Sequence, residues 1–477
     1  MIPRVKISVS EDTANYYTTT VPFVPVVIMH TNSGNIGTKE LIRSESEFIS
    51  KFGRGTLETP SAYAIQLYLR TYSYIYVTRI ASESASYGVA KLVANEQDLF
   101  SVQTIYKTAL LNGTEVHLVY NSDEKKLYLT TTSNSIVITS IKETINLDTA
   151  KAPELERALN KICDSFNAMN LGFNITNLYT SKIDDDVVPE INDLVTTISQ
   201  GDSGLSIVPD EQVLTLANMY ATSGMNIDVM VVPEYTSSDV VNGLTKLADE
   251  FGFMVLTSPK SRDLSSCITD IQDYNKSESL AVYFPDVRYT NFNANIPASV
   301  AVLSAYARND NINKWLSPAG TTRGLLNIVS ELSVNLNDSN LDTLYNNSIP
   351  VNPIRFIDNI GYAVWGQKTT AVQDVYMDRI NISRLVKYTY REINAISNGY
   401  LFEGINEKTF TNWGLQVSAL LDKLKVGGAI TEYTYKMDSE NNTEETISQN
   451  MLIGSVRIKP VEVAEFIDID FVLTSQV

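Results

Sequence analysis

The sequence is poor in the side chains that carry most enzyme and metal chemistry. Its 477 residues include only two histidines, His30 and His117, and two cysteines, Cys163 and Cys267. The cysteines lie far apart and form no CxxC pair of the kind used for zinc or redox centres. We therefore expect reduced cysteines, no metal and no cofactor.

Basic residues are scarce as well. Lysine and arginine total 37 against 55 aspartates and glutamates, a formal net charge of −18. Nucleic-acid binding and docking on anionic membranes both need basic surfaces, so neither partner is expected. The N-terminal stretch MIPRVKISVSED has no long apolar run, and other apolar runs are too short to span a bilayer, so we expect neither a secretory signal nor membrane insertion.

Residues 201–205, GDSGL, match the surroundings of a nucleophilic serine in some hydrolases. Such a serine needs a histidine base that is oriented by a carboxylate. Neither His30 nor His117 has the expected setting, and no histidine follows Ser203. We interpret the pentapeptide as a tight turn that uses Gly201 and Gly204, with a serine hydrolase as the remote alternative.

The apolar pattern predicts an α/β protein of several domains. Buried strands alternate with helices over residues 21–84 and 203–350, which predicts a body with a mainly parallel sheet. Residues 85–202 hold short strands separated by turns and one amphipathic helix, and we predict that they form a β-rich insertion. Residues 351–477 are predicted to form a C-terminal α+β domain, in which a helix buries Phe410, Trp413, Val417, Leu420, Leu421 and Leu424.

Both ends of the chain have the alternation of single extended strands. Val5, Ile7 and Val9 alternate with polar residues in an N-terminal arm, residues 1–20. The C-terminal strand has a second alternating set: Ile467, Ile469 and Phe471. An isolated strand cannot satisfy its own backbone, so we predict that these segments are inter-subunit strand arms that join sheets of other chains.

The segment GYAVWGQKTT, residues 361–370, nearly spells a phosphate-binding loop. That loop requires a lysine directly after its last glycine, and here Gln367 intervenes. We predict instead a packed turn that is anchored by Trp365.

Residues 296–324, IPASVAVLSAYARNDNINKWLSPAGTTRG, resemble the tail sheath family of contractile phages and related injection machines. The resemblance continues through VNPIRFI, GYAVWGQKT, DRINISRLV and YLFEGIN, and it is fainter over residues 21–84 and 205–290. We expect the residues that carry the motifs to have a structural role and not a catalytic one. These residues are Arg308, Asp310, Trp315, Pro318, Ala319, Gly320, Gly324, Gly361, Trp365, Gly366, Lys368 and Thr369. From the local sequence, we expect Arg308 to form an ion pair with Asp310 and Trp315 to be buried in the core.

The resemblance implies a non-enzymatic subunit of a virion tail. Such subunits stack in rings, with six-fold symmetry expected, around a tail tube, and they contract to drive the tube through the host envelope. The implied partners are further copies of the chain, the tube, the baseplate and the tail terminator, with assembly in the host cytoplasm. A bacteriocin or bacterial injection-system sheath is the nearest alternative, and a static shell is another.

The resemblance also implies that the insertion, residues 85–202, faces outward and that the C-terminal domain, residues 351–477, faces the tube. One basic stripe in this domain suggests where the tube would bind. Arg384, Lys387 and Arg391 share a helical face in a chain that is acidic overall. We predict that the stripe faces an acidic tube surface, with a plain solvated helix face as the alternative.

Overall fold

The computed structural model of the protein describes residues 23–181, 188–372 and 376–465. The strands of these residues, in chain order, are β1 Pro25–His30, β2 Glu40–Ile42, β3 Ile75–Ile80, β4 Tyr87–Ala94, β5 Gln97–Lys107, β6 Glu115–Asn121, β7 Lys126–Ser133, β8 Ile136–Thr144, β9 Phe173–Asn177, β10 Asp193–Thr197, β11 Val229–Val231, β12 Met254–Thr257, β13 Leu280–Phe284, β14 Val287–Tyr289, β15 Val329–Leu332, β16 Val351–Ile357, β17 Gly361–Val364, β18 Ile430–Lys436 and β19 Ser455–Pro460. The helices are α1 Glu45–Phe52, α2 Pro60–Tyr68, α3 Ala152–Asn167, α4 Asp210–Ala221, α5 Ser238–Phe251, α6 Leu264–Ile271, α7 Ala298–Ala301, α8 Leu303–Asp310, α9 Asp338–Tyr345, α10 Ile380–Asn398, α11 Glu407–Val426 and α12 Glu444–Ser448.

The chain divides into two compact units. Within the described residues, the first unit contains residues 23–27, 71–76 and 214–465. The second unit contains residues 28–70 and 77–213. Strands β1 and β3 each contribute residues to both units.

The first unit is built on a mixed sheet. Its strands lie in the order β17-β16-β13-β12-β11-β1, and the pairs from β1 to β16 are parallel while β17 is antiparallel to β16. Strands β11, β12 and β13 are buried at every position. Helices α5, α7 and α9 pack on the sheet, and strands covered on both faces are apolar throughout rather than alternating. The α/β class with a mixed, multi-stranded sheet is therefore confirmed.

A helical layer at the C-terminal side of this unit has its own apolar core. All six apolar residues predicted on the buried face of α11 are buried, from Phe410 to Leu424. Five of them, all but Phe410, pack with residues of α10 and with Trp315, whose ring lies 6.0 Å from that of Tyr388. An antiparallel hairpin of β18 and β19 packs against the same cluster. The burial prediction for α11 and the core position of Trp315 are confirmed.

The second unit contains the β-rich stretch. Strands β10, β6, β7 and β8 form one sheet in that order, and β4, β5 and β9 form another. Helix α3 closes a hydrophobic cluster whose members run from Leu92 to Ile198. This cluster lies inside the predicted insertion, residues 85–202, but residues 28–70 belong to the same compact unit.

One predicted domain boundary cuts through the sheet. Strand β16, at the start of the predicted C-terminal domain, pairs in parallel with β13, so that Val282 lies opposite Val351. The boundary at 350/351 is therefore corrected, because the body sheet continues beyond it. The other boundaries stay predictions. The residues assigned to the strand arms, Val5, Ile7, Val9, Ile467, Ile469 and Phe471, lie outside the described residues.

The burial of His30 predicts that the stability of the second unit depends on pH. Burial, helped by the nearby charge of Arg79, lowers the pKa of His30 from 6.5 to about 4. Between these pH values the unfolded chain binds the proton and the folded chain does not. The contribution of neutral His30 to stability is therefore fully present above pH 6.5 and is lost as the pH falls toward 4. We expect this histidine to account for about 3 kcal/mol of the loss. Urea unfolding of wild type and His30→Gln at pH 7 and pH 4.5 checks it, since the variant should lose less stability. Equal losses in the two proteins would contradict the assignment.

Candidate functional site

The basic stripe of α10 faces the interior of the first unit. Arg384 and Lys387 are only 4% and 9% exposed, and the Arg391 side chain is 15% exposed. Neither a tube contact nor a solvated helix face is compatible with this burial. Both interpretations of the stripe are therefore wrong, because carboxylates from distant parts of the chain lie on the inner side of the helix.

The first of these carboxylates ends helix α8. Arg384 Nη2 donates to both carboxylate oxygens of Asp310, at 2.8 and 2.6 Å. The same guanidinium lies 5.0 Å from the ring centre of Tyr306, whose hydroxyl shares a 2.7 Å hydrogen bond with that of Tyr283. Residues from α8, α10 and β13 thus meet in one buried polar group.

The second carboxylate, Asp228, directly precedes strand β11. It accepts hydrogen bonds from Lys314 Nζ at 2.5 Å, from Arg391 Nη2 at 2.7 Å and from the Val24 amide at 3.0 Å. Arg391 also donates to the Ile227 carbonyl at 2.8 Å. Asp228 therefore joins α10 to the start of a sheet strand and to the loop that follows α8.

The two carboxyl groups experience burial differently. Burial raises the pKa of Asp310 to about 6, against the opposing effect of Arg384. Burial alone would also raise the pKa of Asp228, but Arg391 and Lys314 outweigh it and the pKa lies below its ordinary value. Burial lowers the pKa of Arg384, but the charge and hydrogen bond of Asp310 together with the charge of Asp228 oppose it, and the pKa of this guanidinium is raised. Asp310, Asp228 and Arg384 are therefore charged at neutral pH.

Arg308 does not pair with Asp310 as the sequence predicted. Its Nη1 donates to the carbonyls of Thr322 and Arg323 at 3.2 and 3.1 Å, and its Nη2 donates to that of Leu325 at 2.6 Å. The reason is that Asp310 is already bound by Arg384. Arg308 instead fixes the loop after the Ser-Pro-Ala-Gly turn.

The glycines of the motif allow close backbone contacts. Gly320, after Pro318 and Ala319, has a φ of +92° and donates its amide to the Val364 carbonyl at 2.9 Å. A Cβ on Gly324 would lie 2.8 Å from that same carbonyl. A side chain at Gly324 would push the loop away from β17, whereas at Gly320 the positive φ, and not a lack of space, disfavours one.

The segment that resembles a phosphate-binding loop is held by hydrogen bonds to other residues of the protein. The Asn352 side chain accepts from the Lys368 amide at 2.6 Å and donates to the Lys368 carbonyl at 2.7 Å, as a neighbouring strand would. Lys368 Nζ donates to the Tyr345 carbonyl at 3.0 Å and lies 4.2 Å from the centre of that ring. Thr369 donates to the Met377 carbonyl. The lysine is thus part of the packing of this turn.

Two glycines flank this turn, and the tryptophan between them is not an anchor. Gly361 begins β17 with a φ of +116°, and a Cβ on Gly366 would lie 2.9 Å from the Asn352 Oδ1 atom. Trp365 is 42% exposed and stacks under the guanidinium of Arg355 at 5.7 Å. The anchor prediction is corrected, because the packing is provided by the backbone on either side of Trp365.

Ser203 has a structural setting. It is 6% exposed, its Oγ donates to the Asn32 carbonyl at 2.8 Å, and it accepts from the Ala109 amide at 3.1 Å. Its own carbonyl accepts from Arg79, a fully buried arginine, at 2.7 Å. Gly204 has a φ of +65°, as the tight-turn interpretation requires. Among the described residues the Ser203 hydroxyl is bonded to backbone groups and not to a side-chain base, which contradicts the hydrolase alternative.

The described ranges contain neither a cluster of metal ligands nor a helix that could span a membrane. Across residues 23–181, 188–372 and 376–465, no three histidine, cysteine or acidic side chains group as metal ligands. None of the helices in those ranges is both long and apolar enough to cross a membrane.

The fold is that of contractile sheath proteins. A chain of the helical sheath of the anti-feeding prophage in the contracted state matches with a TM-score of 0.57 and 16% identity over 99% of both chains. The contracted PVC sheath of an extracellular contractile injection system matches with a TM-score of 0.56 and 14% identity, over 100% of this chain and 98% of that one. A sheath tail protein of Desulfitobacterium hafniense has a TM-score of 0.56 and 10% identity, over 89% and 88% of the two chains.

Sequence similarity points to the same group of proteins. The tail sheath protein of Enterobacteria phage T4 is 31% identical over 189 residues, and that of Vibrio phage KVP40 is 30% identical over 189 residues. Each match covers 39% of this chain and 28% of the relative, so the chain matches less than a third of their length. No protein-family model matches the sequence. Together, these relatives and the fold support the tail sheath family and confirm the resemblance found in the sequence.

The buried pair predicts a large, coupled loss of stability. Arg384→Met and Asp310→Leu should each lower the free energy of unfolding by about 3–5 kcal/mol, because each leaves an uncompensated buried charge. The double variant should lose less than the sum of the two, since neither charge then remains alone. Urea unfolding of the four proteins measures the coupling. The exposed pair of Lys161 and Glu143 is the control, for which Lys161→Met should cost less than about 1 kcal/mol. Additive losses at the buried pair would contradict the prediction.

Ser203→Ala is expected to lower the stability of the protein, and no catalytic turnover is expected to be lost. The free energy of unfolding should fall by about 1–3 kcal/mol, because the Ala109 amide loses its acceptor and the Asn32 carbonyl keeps only its Thr108 donor. Exposed Ser84→Ala is the matched control and should stay within about 0.5 kcal/mol of wild type. Ester hydrolysis by wild type that disappears in Ser203→Ala would restore the hydrolase interpretation.

Proposed function

We propose that this chain is a non-enzymatic structural subunit of a contractile tail sheath. The observation that carries the proposal is the fold, which matches contracted sheath chains over almost the whole length of both partners. The sequence similarity to phage tail sheath proteins supports the same conclusion. In this proposal the subunits polymerise as a helical sleeve of stacked six-fold rings around a tail tube in the virion. The sleeve ends at a baseplate and a tail terminator, and it assembles in the host cytoplasm.

Contraction in this proposal needs no nucleotide. The extended sleeve is a metastable state, and new contacts between subunits stabilise the shortened one. The tube is then driven through the host envelope as the subunits rotate and move outward. The settings of Ser203 and Lys368, each bonded to backbone, agree with a protein that stores energy in contacts rather than in a bound substrate.

The proposed acceptor of the strand arms is the sheet of β18 and β19 in each copy. Strands β18 and β19 form a two-stranded sheet, and in the described part of the chain no third strand pairs with either edge. Two-stranded sheets are marginally stable alone and gain from added strands. We propose that segments 1–20 and 467–471 of neighbouring copies add to such edges, so that backbone hydrogen bonds hold neighbours together during rotation.

A sheath of a bacteriocin or bacterial injection system is the second candidate. It is favoured by the matches to the anti-feeding prophage and PVC sheaths, which cover more of the chain than the phage sequence matches do. Electron microscopy of the native particles with antibody against this chain separates the two, because only a phage particle carries a DNA-filled capsid.

Self-assembly tests the sheath proposal directly. The purified, concentrated full chain should form hollow tubes with oblique striations in negative-stain electron microscopy, because the contracted sleeve is proposed to be the stable state. Combined Val5→Ser, Ile7→Ser and Val9→Ser should abolish the tubes, since the apolar face of the arm is lost. The matched control, Lys6→Ser with Ser8→Thr, changes only the other face and should leave the tubes intact. A wild-type chain that stays monomeric both alone and when mixed with tube and baseplate would refute the proposal.

A further inference from the structure

A small cavity lies beside the inner face of α10. Its volume is about 10 Å³, which is enough for one water-sized species. The residues that line it are Asp228, Gly252, Met254, Lys314, Arg384, Lys387 and Arg391. Four of these seven residues are basic and one is acidic, so the lining is strongly electropositive for a buried position.

The surrounding ion pairs do not balance this charge. Asp228 is shared by Lys314 and Arg391, and Asp310 is used by Arg384. Lys387 takes part in none of the ion pairs formed between described residues. Two carboxylates thus face four cations in the buried network.

The carboxylates that act on Lys387 from other elements are more distant. Glu278 and Asp249 raise its pKa, but burial has the larger effect and lowers it. The Asp249 Oδ1 atom accepts a hydrogen bond from Ser277 at 2.6 Å. Neither acidic residue lines the cavity. Asp228 is therefore the one carboxylate among the residues that line the cavity, and the ion pairs of the described residues leave Lys387 without a carboxylate partner.

Arg384 supplies an independent sign of a missing acceptor. Its Nη2 atom holds Asp310, whereas its Nη1 atom is buried and has no hydrogen-bond partner among the described residues. The residue is 4% exposed and lines the cavity. A buried guanidinium donor without an acceptor is costly, and Arg cannot avoid the cost by losing its proton. An acceptor in the cavity would remove this cost.

We propose that the cavity binds one monovalent anion of chloride size, held by Arg384 and Lys387. A small anion supplies both the acceptor and the negative charge, and its attraction to the cations is strengthened by the low dielectric of the interior. Phosphate and carboxylate groups are too large for a space of one water-sized species. The bound anion would keep the cationic face of α10 packed against the sheet.

Chloride binding can be measured on the full chain in solution. The ³⁵Cl NMR line should broaden in the presence of wild type and should narrow again when bromide is added as a competitor. Unfolding in chloride and in gluconate at equal ionic strength gives a second readout. For a dissociation constant of about 10 mM, 100 mM chloride raises the folded-to-unfolded ratio roughly tenfold. A wild type without broadening would overturn the proposal, because the cavity then holds only water.

Two lysine variants locate the effect. Lys387→Met removes a charge from the cavity without breaking an ion pair, and it should abolish the broadening and the chloride-dependent stability. Exposed Lys276→Met carries the same change on the surface of the unit and should behave as wild type. Broadening that persists unchanged in Lys387→Met would refute the site.

If Lys387→Met fails to fold, anomalous diffraction from wild-type crystals grown in bromide tests whether the cavity binds an anion. An anomalous difference peak between Arg384 and Lys387 would support the anion site. A cavity without an anomalous peak at full bromide concentration would overturn it.

Discussion

The packing of α10 depends on the burial of its cationic face. Arg384 and Arg391 can leave water only because Asp310 and Asp228 are placed to receive them at 2.6–2.8 Å. Replacing such a pair by apolar residues can be neutral, whereas removing one partner is severely destabilising. The network therefore contributes less to net stability than to position. It fixes one arrangement of α8, α10 and β11, since any other arrangement would leave a charge buried alone.

Fixed positions inside the unit matter for a subunit that is proposed to move. Packed cores that are held by directional bonds do not deform continuously, so large changes take place between bodies rather than within them. Here the directional bonds are numerous around the family motifs. Arg308 holds three carbonyls, Asn352 replaces a strand partner for Lys368, and Gly324 lets two backbone segments touch. In the proposed sheath, each first unit would accordingly rotate as a solid part, and flexibility would lie in the segments that join neighbours.

The sequence allowed the α/β class, the apolar strands, the buried face of α11 and the sheath resemblance to be predicted, because these depend on local periodicity and on contiguous motifs. It did not reveal the direction in which the α10 stripe faces. Asp310 and Asp228 lie 74 and 163 residues away from their arginines, and no local pattern links them. Charge spacing on a helix predicts a common face, but it does not say whether that face meets water or carboxylates. One signal was available: Asp228 stands at the head of an entirely apolar strand, a position that implies a buried partner.

The inward stripe also changes how attraction between subunits is explained. The chain carries a formal charge of −18, and a large share of its cationic side chains near α10 is unavailable to any partner. Copies that approach one another therefore present predominantly acidic surfaces, which repel at low salt. Contacts made by added strands avoid this difficulty, since backbone hydrogen bonds form regardless of net charge. A sleeve held by strand exchange would remain intact when extended despite the repulsion between its acidic bodies, and the contacts that the subunits gain on shortening have to outweigh this repulsion.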